Sequence, residues 1–152
     1  MIQVFLDTNV IIDYLGNRTG FYDDAAIIMS LAINQKVELH AAAMSFATAS
    51  YILNKKNDND RIKTLIADFC KICKVVATDK ECVNYATLSD FEDFEDAMQY
   101  KCAQKAKVDY IITRNPKDFK TANIKVRTPK EFLEDIINEV RSKNNKPQIR
   151  NL

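Results

Sequence analysis

The sequence predicts an α/β fold, a three-layer sandwich with a parallel sheet of about five strands flanked by helices. Three observations carry that expectation. Short apolar runs with β-branched members alternate with longer stretches whose apolar residues recur at offsets of three and four, the period of a helix lying on a sheet. Strands separated by such stretches return to one sheet through right-handed crossovers, which makes the sheet parallel and covers both its faces. With only 2 glycines and 3 prolines in 152 residues, no linker, repeat or low-complexity segment marks an internal boundary. The expected organisation is one domain over residues 1–140 and a basic, flexible C-terminal tail over 141–152.

The elements follow in order. Residues 2–6, IQVFL, are a buried strand that runs into Asp7, and Thr8 or Asn9 can cap a short helix over 10–15 that Gly16 stops. A helix over 22–34 presents Ala25, Ile28, Met29 and Ala32 as its apolar stripe. Residues 37–42 return as a strand, 45–54 are apolar and helical, and KKNDND breaks the chain before a helix over about 60–71. A brief third strand is expected at 75–77, then a helix over 79–88 capped by Thr78 or Asp79. The acidic stretch from Asp90 opens another helix that runs to about 107. Residues 109–113 make a fourth strand and 124–127 a fifth, before a helix over 129–140 with Pro129 at its first position.

Composition excludes several classes. At 47% hydrophobic and 28% charged the chain is neither disordered nor built for a membrane. A domain of this length buries roughly 70% of its unfolded surface and needs no covalent staples. No window approaches the ~18 consecutive apolar residues of a spanning helix. The start MIQVFLDTNV lacks a basic n-region and a cleavage site, so a cytoplasmic location is expected. Cys70, Cys73, Cys82 and Cys102 are then expected as free buried thiols. A net charge of +1 means that any contact with nucleic acid uses a local basic surface. Charge is segregated: five of the seven residues 90–96 are acidic, whereas 141–152 carries Arg141, Lys143, Lys146 and Arg150 with no acid.

In open parallel sheets, functional groups collect beyond the carboxyl ends of the strands. Asp7 ends the first strand, the acids 93–96 precede the fourth, and the loop 114–120 follows it. Each has a plain alternative. Asp7 can cap the next helix, the run SDFEDFEDAMQY can complement a helix dipole, and Asp118 in TRNPKDF can belong to an Asx-type turn around Pro116. Asp93 and Asp96, however, lie three apart beside the apolar Phe94, Ala97 and Met98. Together, Asp7, Asp93 or Asp96, and Asp118 supply hard oxygen donors from three segments, a set suited to Mg²⁺ or Mn²⁺ and poorly suited to zinc. Such clusters hydrolyse phosphodiesters without a protein nucleophile. Other equipment is missing: the one histidine, His40, sits in a strand and reads as structural, and no nucleophile elbow, phosphate-binding glycine loop or dinucleotide fingerprint is present. Cys70 and Cys73 form C-x-x-C near a helix end without a second pair, so core packing is the preferred reading.

The blocks FLDTNVIIDYL, FEDAMQY and DYIITRNPKDF, in that order and spacing, resemble the signature blocks of PIN domains. The closing VRTPKEFL extends the likeness to about residues 2–134. The resemblance implies a five-stranded parallel sheet and a Mg²⁺- or Mn²⁺-dependent endoribonuclease site, and many relatives are toxins of the VapC type. Asp7, Asp96 and Asp118 match the family's acidic metal ligands, and Asn9, Thr113 and Asn115 its supporting polar positions. One departure stands out. The family's second acid belongs in the helix after the second strand, here MSFATASYIL, where Thr48 takes its place; Asp93 or Glu95 is the candidate stand-in.

Two principal readings result. One is an active endoribonuclease with Asp7, Asp96 and Asp118 as metal ligands and Asp93 as auxiliary acid. Arg114, Lys117 and Lys120 would then hold phosphates, unless they only solvate their loop. The other is a PIN-like module weakened at Thr48 that binds RNA or protein without cutting. A haloacid-dehalogenase phosphatase also begins with a strand ending in Asp, but it needs a second Asp where this chain has Asn9. RNA as substrate, a small antitoxin as partner and a homodimer are the expected associations.

Overall fold

A computed structural model describes residues 1–55, 58–120 and 123–145. Five strands form one parallel sheet in the order β3-β2-β1-β4-β5: β1 (Ile2–Leu6), β2 (Val37–Ala42), β3 (Cys73–Val76), β4 (Tyr110–Ile112) and β5 (Lys125–Arg127). The helices are α1 (Thr8–Leu15), α2 (Tyr22–Ile33), α3 (Ala43–Asn54), α4 (Asn59–Phe69), α5 (Lys80–Leu88), α6 (Phe94–Lys105) and α7 (Pro129–Asn144). This is the expected α/β sandwich.

Strand alternation divides the core. Val4, Leu6, Leu39, Ala41, Tyr110 and Ile112 point to one face, where Ile11, Ile28, Ala49, Ile62 and Phe132 bring in α1 to α4 and α7. Phe5, Ala42 and Ile111 point to the other, against Cys82, Tyr100, Cys102 and Ala103 of α5 and α6. Phe5, Leu6, Ile28 and Phe132 are fully enclosed, and burial of each such side chain contributes about 1.5–3 kcal/mol.

Boundaries differ from the sequence expectation where local chemistry intervenes. The long acidic helix begins at Phe94 and not at Asp90, because Asp93 accepts the Asp96 N–H at 2.9 Å and caps it. The third strand is Cys73–Val76, shifted toward the N-terminus from 75–77. The last helix opens with a capping box, Thr128 Oγ1 accepting from Glu131 N at 3.2 Å and Glu131 accepting from Thr128 N at 2.8 Å. It then continues to Asn144, so that Arg141 and Lys143 sit in its last turn, where cations complement the dipole. Residues 141–144 therefore belong to a helix and not to a flexible tail; 146–152 lie outside the described residues. Gly16 is the C-cap of α1, and glycine is required there because a Cβ would come within 2.8 Å of the Ile12 carbonyl oxygen. No helix among the described residues is long and apolar enough to cross a membrane.

Candidate active site

The register of β1 against β4 builds the centre. Leu6 pairs with Ile112, so the next residues, Asp7 and Thr113, leave the sheet side by side at its carboxyl edge. Asp7 N donates to Ile112 O at 2.9 Å, and Thr113 N to Arg127 O at 3.0 Å. Although Asp7 occupies the N-cap position of α1, its side chain makes no capping hydrogen bond. Its Oδ2 accepts the Thr113 hydroxyl at 2.7 Å instead. Thr113 Oγ1 in turn accepts from Asn115 N at 3.1 Å and from Asn9 Nδ2 at 3.5 Å, while Asn9 Oδ1 accepts from Arg114 N at 3.4 Å. The three supporting positions Asn9, Thr113 and Asn115 thus form one array behind the carboxylate.

Asp7 is buried, and burial pushes its carboxyl above the usual range against the pull of the Thr113 hydroxyl and the Gln99 amide; Asp118 adds to the push. Asp96, in the first turn of α6, is raised to about 7 by burial first and then by the charges of Asp7, Asp93, Asp118 and Glu95. Burial together with Asp93 and Asp7 raises Glu95 as well. Asp118 ends a 3-10 turn, Pro116–Asp118, and is exposed. Acids from β1, α6 and the loop after β4 therefore act on one another.

Such a set of oxygen donors suits a hard divalent cation, whose charge would offset the burial and the neighbouring charges that together hold Asp96 up. Among the described residues no group of three or more His, Cys, Asp or Glu side chains is arranged to hold a metal ion. The acids meet at the longer range of Coulomb repulsion.

Asp93, Asp96, Asp118, Lys117 and Lys120 share one cleft of about 1070 Å³ with Tyr85, Leu88 and Phe91. Two expected cations thus border Asp96 and Asp118, whereas Asp7 does not line this cleft. Arg114 is differently placed: its Nε lies 3.0 Å from Asp13 Oδ2, and its guanidinium covers the Phe21 ring at 4.4 Å. It is engaged by α1 and α2 and does not line that cleft. Thr48 is half-buried in α3. Burial lowers the His40 pKa, and its Nε2 lies 2.7 Å from Gln3 Oε1, a packing role. All four cysteines are free; Cys73, Cys82 and Cys102 are buried, whereas Cys70 is exposed, contrary to the expectation for that thiol.

Sequence reasoning missed a buried group beneath Asp7. Gln99 Oε1 accepts from Thr8 N at 3.2 Å and lies 3.4 Å from both Thr8 Oγ1 and Ser45 Oγ, which are 2.7 Å from each other. The spacing of Gln99 three residues after Asp96 was a usable signal, because it places both on one helical face. Nothing in the sequence singled out Ser45 or Asp13.

The PIN domain family model matches residues 3–117. Among solved structures, VapBC-1 from nontypeable Haemophilus influenzae is similar at a TM-score of 0.60 and 14% identity, covering 85% of this chain and 99% of that one. VapBC2 from Rickettsia felis, bound to a DNA fragment from its promoter, is similar at 0.59 and 14%, covering 84% and 98%. Mycobacterium tuberculosis VapC20, a sarcin-ricin loop cleaving toxin, is similar at 0.57 and 12%, covering 71% and 86%. Comparison with curated protein sequences returned no match. Identities this low speak for the fold alone, but the family match spans most of the chain, from β1 through the loop after β4, and on it the chain belongs to the PIN-domain family.

Proposed function

We propose that the protein is a Mg²⁺- or Mn²⁺-dependent endoribonuclease, the toxin of a toxin-antitoxin pair. The match to the PIN domain over residues 3–117 carries this reading, together with Asp7, Asp96 and Asp118, acids from separate segments that act on one another. In this reading Asp7, Asp96 and Asp118 hold the ion. When bound, the ion supplies an acidified water and neutralises charge on the phosphate undergoing attack. Thr113 holds the Asp7 carboxylate in one orientation through its hydroxyl, with Asn9 and Asn115 setting the Thr113 oxygen. Asp93 caps α6 and adds negative potential, while Lys117 and Lys120 neutralise the RNA backbone at the rim. Arg114 serves the loop more than the phosphates.

The toxin assignment draws on the VapBC complexes among the structural neighbours. It implies a cytoplasmic protein that pairs with a small antitoxin, whose inserted basic group would meet these acids, and that associates with a second copy of itself. The test is cleavage of a structured and a single-stranded RNA with Mg²⁺ or Mn²⁺. Asp7→Asn should abolish cut products; an Asp7→Asn protein, free of contaminating nuclease, that cuts as fast as wild type would sink the proposal.

Thr48 favours a second reading, a PIN-like module that binds RNA or protein without cutting, because a hydroxyl there cannot balance the charge of a second ion. Calorimetry with Mn²⁺ separates the two. Specific uptake supports the nuclease, and none supports the binding module.

A further inference from the structure

The β1–α1 corner carrying Asp7 and the α6 face carrying Asp96 belong to separate segments of the chain, so their spacing is fixed only where a side chain bridges them. The group best placed is Gln99, which is only 1% exposed and lies three residues beyond Asp96 on the same helical face.

A backbone N–H can only donate, so the Gln99 atom 3.2 Å from Thr8 N is its carbonyl oxygen, and that contact sets which way the amide faces. The same oxygen lies 3.4 Å from the hydroxyls of Thr8 and Ser45, which are 2.7 Å apart. Of the two hydroxyl protons, one closes the Thr8–Ser45 bond and the other reaches Gln99. One amide oxygen thereby joins the residue after Asp7, the first turn of α3 and the turn of α6 that follows Asp96. A buried acceptor serving an obligatory backbone donor is not exchanged for water, so the joint is stiff.

We infer that Gln99 is a positioning residue, fastening the corner that carries Asp7 to the helix face that carries Asp96 and so setting the separation of the two carboxylates. The inference rests on the metal-dependent reading of the site. It differs from the support given by Thr113, which orients one carboxylate and leaves its distance to α6 free.

The test compares wild type, Gln99→Met and a core control, Ile62→Val in α4, by Mn²⁺ calorimetry and by amide hydrogen exchange of the metal-free proteins. Gln99→Met keeps the length of the side chain and removes both the acceptor and the amide that pulls on Asp7, whereas Ser45→Ala leaves that amide in place. It should weaken Mn²⁺ binding at least tenfold and speed exchange at Thr8 at least tenfold, whereas Ile62→Val should change neither more than twofold. If Gln99→Met does not fold, Ser45→Ala carries the test, with an expected threefold or greater loss of Mn²⁺ affinity. Unchanged Mn²⁺ affinity in the Gln99 variant, unchanged Thr8 exchange, or an equal loss in the Ile62 control would each overturn the inference while leaving the nuclease reading intact. A wild-type protein that takes up no Mn²⁺ would overturn the metal-dependent reading, and this inference with it.

Discussion

Arg114 Nε lies 3.0 Å from Asp13 Oδ2, joining the loop after β4 to α1 across the edge of the sheet. The contact is between charges and not along a hydrogen bond, since Arg114 Nε has no hydrogen-bond partner among the described residues. Asp13 is 2% exposed and Arg114 29%, with Arg18 a second cation at 3.7 Å from Asp13. Burial outweighs both arginines and holds the Asp13 carboxyl above its usual range.

An asymmetry in stability is expected from that pair. Arg114→Ala leaves a buried carboxylate with a more distant cation and should destabilise by about 3 kcal/mol, as removal of one partner of a buried pair does. Asp13→Asn removes the group that suffers most from burial and should cost about 1 kcal/mol or less. Denaturant melts of the two variants check the order; equal losses would mean that the pair is solvent-screened.

Thr113→Val removes the proton that Asp7 Oδ2 accepts while keeping the side-chain shape. Loss of a hydrogen bond to a buried charged group should cost about 1.5–3 kcal/mol of stability. Its RNA cleavage should fall with it, and Thr113→Ser should recover most of both. Melting curves and initial cleavage rates are the readouts.

The raised Asp96 makes stability depend on pH in a particular direction. Its carboxyl titrates near 3.8 unfolded and at about 7 folded, so between those values the folded protein binds more protons. Stability of the metal-free protein should therefore fall as pH rises from about 4 to about 7 and level off above. Asp96→Asn should flatten the decline, and so should saturating Mg²⁺ in the wild type. Urea melts in EDTA across this range test it; a wild-type profile that rises over the window would contradict the assigned environment.

Lys117→Ala and Lys120→Ala should weaken RNA binding across sequences without altering where the strand is cut. Each should reduce the slope of log affinity against log salt by about 0.7 for a single-stranded RNA. Fluorescence anisotropy over a salt series measures this, and an unchanged slope would place that lysine outside the phosphate path.

Thr48→Glu restores an acid in α3. It should tighten Mn²⁺ binding by several-fold and raise cleavage at limiting metal. Weaker binding in that variant would show that α3 does not face the ion.

Much of the fold is legible in the sequence. The runs at 2–6 and 37–42 became β1 and β2 with no change of boundary, because strands largely buried on both faces stay mostly apolar even with Gln3, Glu38 and His40 among them. Helix ends were less readable. Lys107, just beyond α6, and Gln35, just beyond α2, adopt positive φ values of 53° and 55°, a conformation that glycine usually announces and that these side chains do not.

Local sequence by itself determined the order of strands and helices along the chain and the three acids that punctuate them, since periodicity and residue type are properties of the chain; the absent acid at Thr48 was legible only through the family resemblance. Only the tertiary structure decided what each polar group faces. It set Asp7 against Thr113 and not over its own helix, turned Arg114 to Asp13, gave Asp93 to the α6 cap and buried Gln99 between three segments. Those outcomes depend on contacts between residues far apart in the chain, such as 7 and 113 or 8 and 99, and on burial that makes each unmet donor or charge expensive. No spacing along one segment encodes them.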